Sequence, residues 1–277
     1  MKRLVFFLLL CAPAWAQGPG SPRVAGPDSG GDILREVRFD QNLGAQVPLD
    51  LQLIGEAAPF HRKGGGKSET LRDLLGGKPA ILDLGYYECP MLCHQVQSGL
   101  VDSLKLMKWT VGQQFRVLTI SIDPRERPDL ARRQKDLTVS RYDRPLDPLG
   151  WRFLTGTPTE LVTLTQAVGF RAIYDRRIQQ FAHPAGLVIL TPQGVVSSYL
   201  YGISFSARAL QRGLEKAASA QVGTPVDPVL FLCYHYDPAT GRYSLEILKV
   251  IRLFGISFAL LLFGAVGMWV YRERKSS

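Results

Sequence analysis

The sequence predicts an α/β domain built on a mixed sheet with flanking helices and followed by one C-terminal transmembrane helix. From residue 79 onward, short apolar, β-branched runs alternate with longer segments of helical periodicity, the pattern of strands joined by crossover helices. The last two strand-like runs are separated only by Thr191-Pro192-Gln193-Gly194, with Pro second and Gly fourth as in a type I turn, so that pair must be antiparallel. Leu253 to Tyr271 carries no charge over nineteen residues. At 1.5 Å per residue such a helix is about 28 Å long, close to the thickness of the hydrocarbon core.

Taken in order, Met1-Lys2-Arg3, the apolar stretch Leu4 to Leu10 and Ala14-Trp15-Ala16 form the charged, hydrophobic and cleavage regions of a signal peptide over residues 1–16. Cys11 lies within it behind Leu10, where a lipoprotein signal requires a small residue, so no lipid attachment is expected. Residues 17–32 are rich in Gly, Pro and Ser without apolar periodicity and read as a flexible leader. The folded domain is expected over 33–222. Gly64-Gly65-Gly66-Lys67-Ser68 has His61 where a phosphate loop needs its first glycine, and no strand precedes it, so it reads as a hairpin loop.

Pro79 to Leu84 is the first apolar strand, and Pro90 to Thr110 carries Leu92, Val96, Leu100, Leu104 and Met107 at helical spacing. Phe115 to Ile122 is a second strand, stopped by Asp123-Pro124. Arg127 to Thr138 and Thr159 to Val168 are helical, the second opened by Thr157-Pro158 as cap and first turn. Gly186 to Thr191 and Val195 to Tyr201 form the hairpin, and Ser206 to Ser219 is the closing helix. Residues 223–252 form a juxtamembrane segment, 253–271 the membrane helix and 272–277 a cytoplasmic tail. Basic residues flank the apolar run on both sides, so charge asymmetry does not orient it. The exported N-terminus does: the domain is expected on the outer face, tethered by its C-terminus.

The mean hydropathy of +0.02 averages two apolar ends with a polar middle, which excludes a polytopic membrane protein. The formal charge of +9 is dispersed, and no run interleaves Lys and Arg with aromatic residues, so nucleic acid is not an expected partner. A basic surface of this kind suits an acidic protein or an anionic membrane face.

Chemistry concentrates at Gly85-Tyr86-Tyr87-Glu88-Cys89-Pro90-Met91-Leu92-Cys93. Cys89 follows a buried strand and precedes Pro90, favoured at the first position of a helix, which puts Cys89 at the N-cap and Cys93 one turn further on the same face. Unpaired N–H groups and the helix dipole at that end favour thiolates. Two thiolates one turn apart can close a disulfide or hold a soft ion such as Cu(I). The plainer alternative is a structural pair, inert or statically bridged, as exported proteins tolerate. A bridge closing so short a loop would stabilise little. Two cysteines are an incomplete site for Cu(II) or Zn, and His183, just before the hairpin strand, is the best-placed third ligand, against the ordinary alternative of a surface or hydrogen-bonded histidine. His94 adjoins Cys93 but should point about 100° away, and His61 is given no role.

These motifs together resemble the Sco/SenC family of membrane-anchored, thioredoxin-like copper proteins: the cysteine segment, Ser121-Ile122-Asp123-Pro124, Trp151-Arg152-Phe153-Leu154-Thr155-Gly156, His183 and Leu190-Thr191-Pro192-Gln193-Gly194, in that order between about Leu71 and Ser219. The resemblance implies a thioredoxin-like fold and a copper ion held by Cys89, Cys93 and His183. It implies delivery of copper to the binuclear CuA site of a cytochrome c oxidase, the copper-accepting subunit being the partner, or preparation of that site by thiol reduction. Together with the signal peptide and the C-terminal helix, which stand here where many relatives carry an N-terminal anchor, it implies a single-pass inner-membrane protein with its domain in the periplasm, where other copper or thiol proteins are further partners. Here Ala182 and Pro184 flank the histidine in place of the family's Asp and Ser or Thr, so whatever orients the imidazole must lie elsewhere. The alternative function is an extracytoplasmic thiol:disulfide oxidoreductase in which Cys89 attacks and Cys93 resolves. Cys233 and His235 could be accessory ligands or a resolving thiol, or could belong to an interfacial segment rich in Tyr.

Overall fold

The computed structural model describes residues 36–58, 65–89, 93–176, 179–224, 236–237, 242–243 and 245–276. The elements run β1 (Arg38–Phe39), β2 (Gln52–Gly55), β3 (Ser68–Thr70), α1 (Leu71–Leu75), β4 (Ala80–Gly85), α2 (Cys93–Leu106), β5 (Arg116–Ser121), α3 (Pro128–Tyr142), β6 (Trp151–Thr155) and α4 (Pro158–Ala167). There follow β7 (Phe170–Arg171), β8 (Ile173–Asp175), β9 (Gln180–Ala182), β10 (Gly186–Leu190), β11 (Val196–Tyr201), α5 (Ala207–Ala218), β12 (Tyr236–Asp237), β13 (Arg242–Tyr243) and α6 (Leu245–Ser276).

Seven strands form the central sheet in the order β11-β10-β4-β5-β6-β2-β3. The middle three are parallel, and β10, β11, β2 and β3 are added antiparallel, so the sheet is mixed as expected. Side chains alternate across it with the period of two that a pleated strand imposes. Leu82, Leu118, Leu154 and Val188 face α1 and α4, whereas Ile81, Val117, Phe153 and Leu187 face α2, α3 and α5. Both faces are covered, which is why the central strands read as continuous apolar runs. Gly99 lets α2 come down on the loop before α5, because a Cβ there would strike the Ile203 carbonyl.

Several expectations on boundaries are corrected. The described part of α2 starts at Cys93, the expected first turn at 90–92 lying outside the described residues, and the helix ends at Leu106 instead of Thr110. The Arg144 guanidinium ends it, donating to the carbonyls of Leu104 (2.8 Å) and Met107 (2.9 Å) that a further turn would have used. Helix α3 continues past Thr138 to Tyr142, whose buried ring packs edge-on against Trp151, and stops at Asp143 in the left-handed region (φ 50°). Strand β6 is not among the elements that the sequence pattern predicts, because Arg152 interrupts its apolar run. In the fold that guanidinium is matched by Glu56 (3.1 Å) and Glu69 (2.6 Å), both themselves mostly buried.

Beyond the domain, β12 and β13 pair antiparallel within the expected juxtamembrane segment. In α6 the stretch Arg252–Arg274 has a mean hydropathy of 2.2 and buries none of its length against the rest of the chain. Phe254 and Phe263 are about three-quarters exposed, unlike the stripe that a core helix would bury. By length and composition this helix is able to cross a membrane. The signal peptide, the leader, His61, Cys233 and His235 lie outside the described residues.

Candidate metal centre

Strand β4 is fully buried from Ala80 to Leu84 and delivers the chain into a turn at Tyr86-Tyr87-Glu88-Cys89, closed by the Cys89 N–H donating to the Tyr86 carbonyl (3.4 Å). Cys89 is 5% exposed, and the chain re-enters the described structure at Cys93 as the first residue of α2. The end of β4 and the start of α2 thus put both cysteines at the carboxyl edge of the sheet, where doubly covered α/β sheets place their sites.

The turn is held from below and from the side. The Tyr87 ring stacks on Phe153 (6.1 Å), and its hydroxyl donates toward the Leu154 carbonyl (2.7 Å) and lies 3.1 Å from that of Thr119. Burial first, and then the charge of Glu126, keep this phenol protonated well above its usual range. The Glu126 carboxylate accepts the N–H groups of Tyr87 and Glu88, each at 2.8 Å, and the Ser121 hydroxyl at 2.5 Å. Gln134 donates to the Tyr87 carbonyl (3.1 Å).

His183 is half-buried in the loop between β9 and β10, and because β10 runs antiparallel beside β4, that loop falls at the same edge as the cysteine turn. Its ring meets Tyr86 edge-on (6.0 Å) and packs against Phe170 (5.7 Å). Nδ1 lies 3.0 Å from the Pro184 carbonyl. A carbonyl only accepts, so this contact favours the tautomer with its hydrogen on Nδ1, which leaves Nε2 as the ligand nitrogen. The Pro184 backbone and the rings of Tyr86 and Phe170 thus help to orient the imidazole.

Beneath the turn lies a small cavity, about 20 Å³, bounded by Asp83, Tyr86, Tyr87, His94, Gln97 and Gln134, with room for about one water. His94, expected to face away, is exposed at this rim. Asp83 is buried on the same sheet face as Ile81, and burial raises its pKa to about 6 against the opposing influence of Thr119, whose hydroxyl donates at 3.3 Å, and of His183. The sequence pattern singles out neither Asp83 nor Glu126. The first is visible as a charge in an apolar strand, whereas the second acts through backbone groups and leaves no such mark.

Among the described residues, no three His, Cys, Asp or Glu side chains converge as a ready-made metal site. The structure brings His183 and the Cys89 turn to one edge through Tyr86, and for Cys93 it describes the backbone position alone. Two soft sulfur donors and an imidazole with Nε2 as its basic nitrogen are a donor set suited to copper in either oxidation state.

A mixed sheet with helices on both faces and a cysteine turn at the end of the first of its parallel strands defines a thioredoxin-like α/β protein. The model of the SCO1/SenC family matches residues 63–219, more than half of the sequence, and the chain belongs to that family. Among solved structures it is similar to an Aquifex aeolicus VF5 protein provisionally named for electron transfer, at 26% identity over 64% of this chain and 95% of that one (TM-score 0.55). A SCO1/SenC family lipoprotein from Bacillus anthracis str. Ames shares 17% identity over 63% of this chain and 96% of its own (TM-score 0.50), a likeness of fold. Arabidopsis thaliana ScoI, solved with copper bound, shares 20% identity over 61% and 96% (TM-score 0.48). No curated protein matches the chain.

Proposed function

We propose that this protein is a membrane-tethered copper-binding assembly factor, in which Cys89 and Cys93 hold Cu(I) as thiolates and His183 adds, through Nε2, the nitrogen that accommodates Cu(II). The cargo is a copper ion destined for the copper-accepting subunit of a cytochrome oxidase, and α6 keeps the domain at the inner membrane on the periplasmic side. One observation carries the reading: the His183 loop lies against Tyr86, the first residue of the turn that ends in Cys89, in a chain of the SCO1/SenC family. Soft sulfur with one imidazole fits a carrier that must take up and release copper in both oxidation states.

Copper titration of the full-length protein and its Cys89→Ser, Cys93→Ser and His183→Ala variants tests this. The serine variants are expected to lose Cu(I) binding, and His183→Ala to lose mainly Cu(II) binding and its thiolate-to-copper charge-transfer band. Unchanged copper stoichiometry in all three variants would overturn the proposal. A thiol:disulfide oxidoreductase would instead keep its activity in His183→Ala, since that chemistry needs only the two sulfurs.

A further inference from the structure

The loop after β5 touches both halves of this site with consecutive residues. Glu126 reaches the cysteine side, its two oxygens receiving the Tyr87 and Glu88 N–H groups just before Cys89. Arg125 reaches the histidine side: its Nη1 donates to the Tyr174 hydroxyl (3.2 Å), and its guanidinium lies 5.0 Å from the centre of that ring. Tyr174 is in β8 and packs on Phe181 in β9 (5.0 Å), Phe181 meets Tyr86 (6.0 Å), and β9 leads directly into His183. The loop itself is fixed. Asp123, its side chain 7% exposed, takes Nε (2.8 Å) and Nη2 (2.6 Å) of Arg125 in a two-point grip and also accepts the Arg125 N–H (2.9 Å). Ser121 closes the base by donating to Glu126 while accepting the Asp123 N–H (3.1 Å).

We infer that Arg125 and Glu126 are positioning residues which together set the separation between the sulfur and imidazole halves of the site, Glu126 by holding the Cys89 turn and Arg125 by holding the β8–β9 hairpin that carries His183. The inference rests on the copper reading for its chemistry. Neither residue supplies a donor atom to the metal, and each acts through the backbone or ring it holds. Each side chain holds its own half, and the short, pinned loop fixes the distance between the two holds, alongside the direct contacts of Tyr86 with Phe181 and His183.

The two arms make different predictions. Because the thiolates serve both oxidation states and the imidazole chiefly Cu(II), Arg125→Met is expected to weaken Cu(II) binding about three-fold or more while changing Cu(I) binding less than about two-fold. Glu126→Gln places an amide N–H against one of the two backbone N–H groups and is expected to weaken both ions alike. Hydrogen exchange on the full-length, metal-free protein gives a reading independent of copper. Glu126→Gln should accelerate exchange in residues 84–89 and spare 179–185, and Arg125→Met should do the reverse. Tyr174→Phe removes only one hydroxyl and serves if Arg125→Met folds poorly, with a weaker effect of the same pattern; Glu126→Asp serves likewise for Glu126. Exchange unchanged in both segments, or equally faster in both for either variant, overturns the inference. If the unaltered protein binds no copper, the copper reading falls, and the exchange pattern alone decides whether the two residues hold the two segments.

Discussion

Asp83 is a carboxylic acid placed where its ionised form is poorly solvated, and the cost of that placement can be measured. In the unfolded chain it titrates near 3.8, whereas in the fold burial raises its pKa to about 6. Between those values the folded state keeps a proton that the unfolded state has released, so stability falls as pH rises from about 4 to about 6 and stays lower above it. A rise of that size corresponds to about 3 kcal/mol. Asp83→Asn can still accept from Thr119 and should remove this fall: the variant should be more stable than the parent at pH 7 and nearly equal to it at pH 4. Urea denaturation at the two pH values checks this, and equal stability differences at both would refute it. The proposed donor residues are legible in the sequence because they are rare types in telling places, Cys89 and Cys93 after an apolar strand and His183 before another. Arg125 and Glu126 are not, since a charged pair in a loop has no signature until its hydrogen-bond partners are known.

Helix starts and strand cores follow closely from local chemistry. Thr157 caps α4 by accepting the Glu160 N–H (3.3 Å), with Pro158 in the first turn, as the sequence predicts. Ser206 occupies the same position before α5 but makes no such bond. Thr157→Ala should therefore cost about 1 kcal/mol and Ser206→Ala close to nothing, by thermal or chemical denaturation. An equal loss at the two positions would show that the cap bond is not what matters. Helix ends are harder to read, because they are set by distant groups: Arg144 stops α2 by taking its carbonyls, and packing of Tyr142 on Trp151 prolongs α3. Strand β6 is hidden for the same reason. An arginine in mid-strand reads as surface until Glu56 and Glu69, far away in sequence, are brought beside it.

For the molecule as a whole, the apolar α6 should make the protein behave as an integral one. We expect the full-length chain to stay with membranes through high salt and alkaline washing and to come off only in detergent, while a form ending before Leu245 is recovered in the soluble fraction. Salt-extractable full-length protein would contradict a spanning helix. The sequence by itself determined the α/β class, the terminal hairpin, the apolar helix and the candidate sulfur and nitrogen donors, since each depends on residues near one another in the chain or on a residue type with few alternative uses. Only the tertiary structure decided that β10 lies antiparallel beside β4, which carries the His183 loop to the edge where the Cys89 turn stands, and that the loop after β5 grips both. Strand order depends on which buried faces and charges find each other across about a hundred residues, and that is settled by packing the whole core at once.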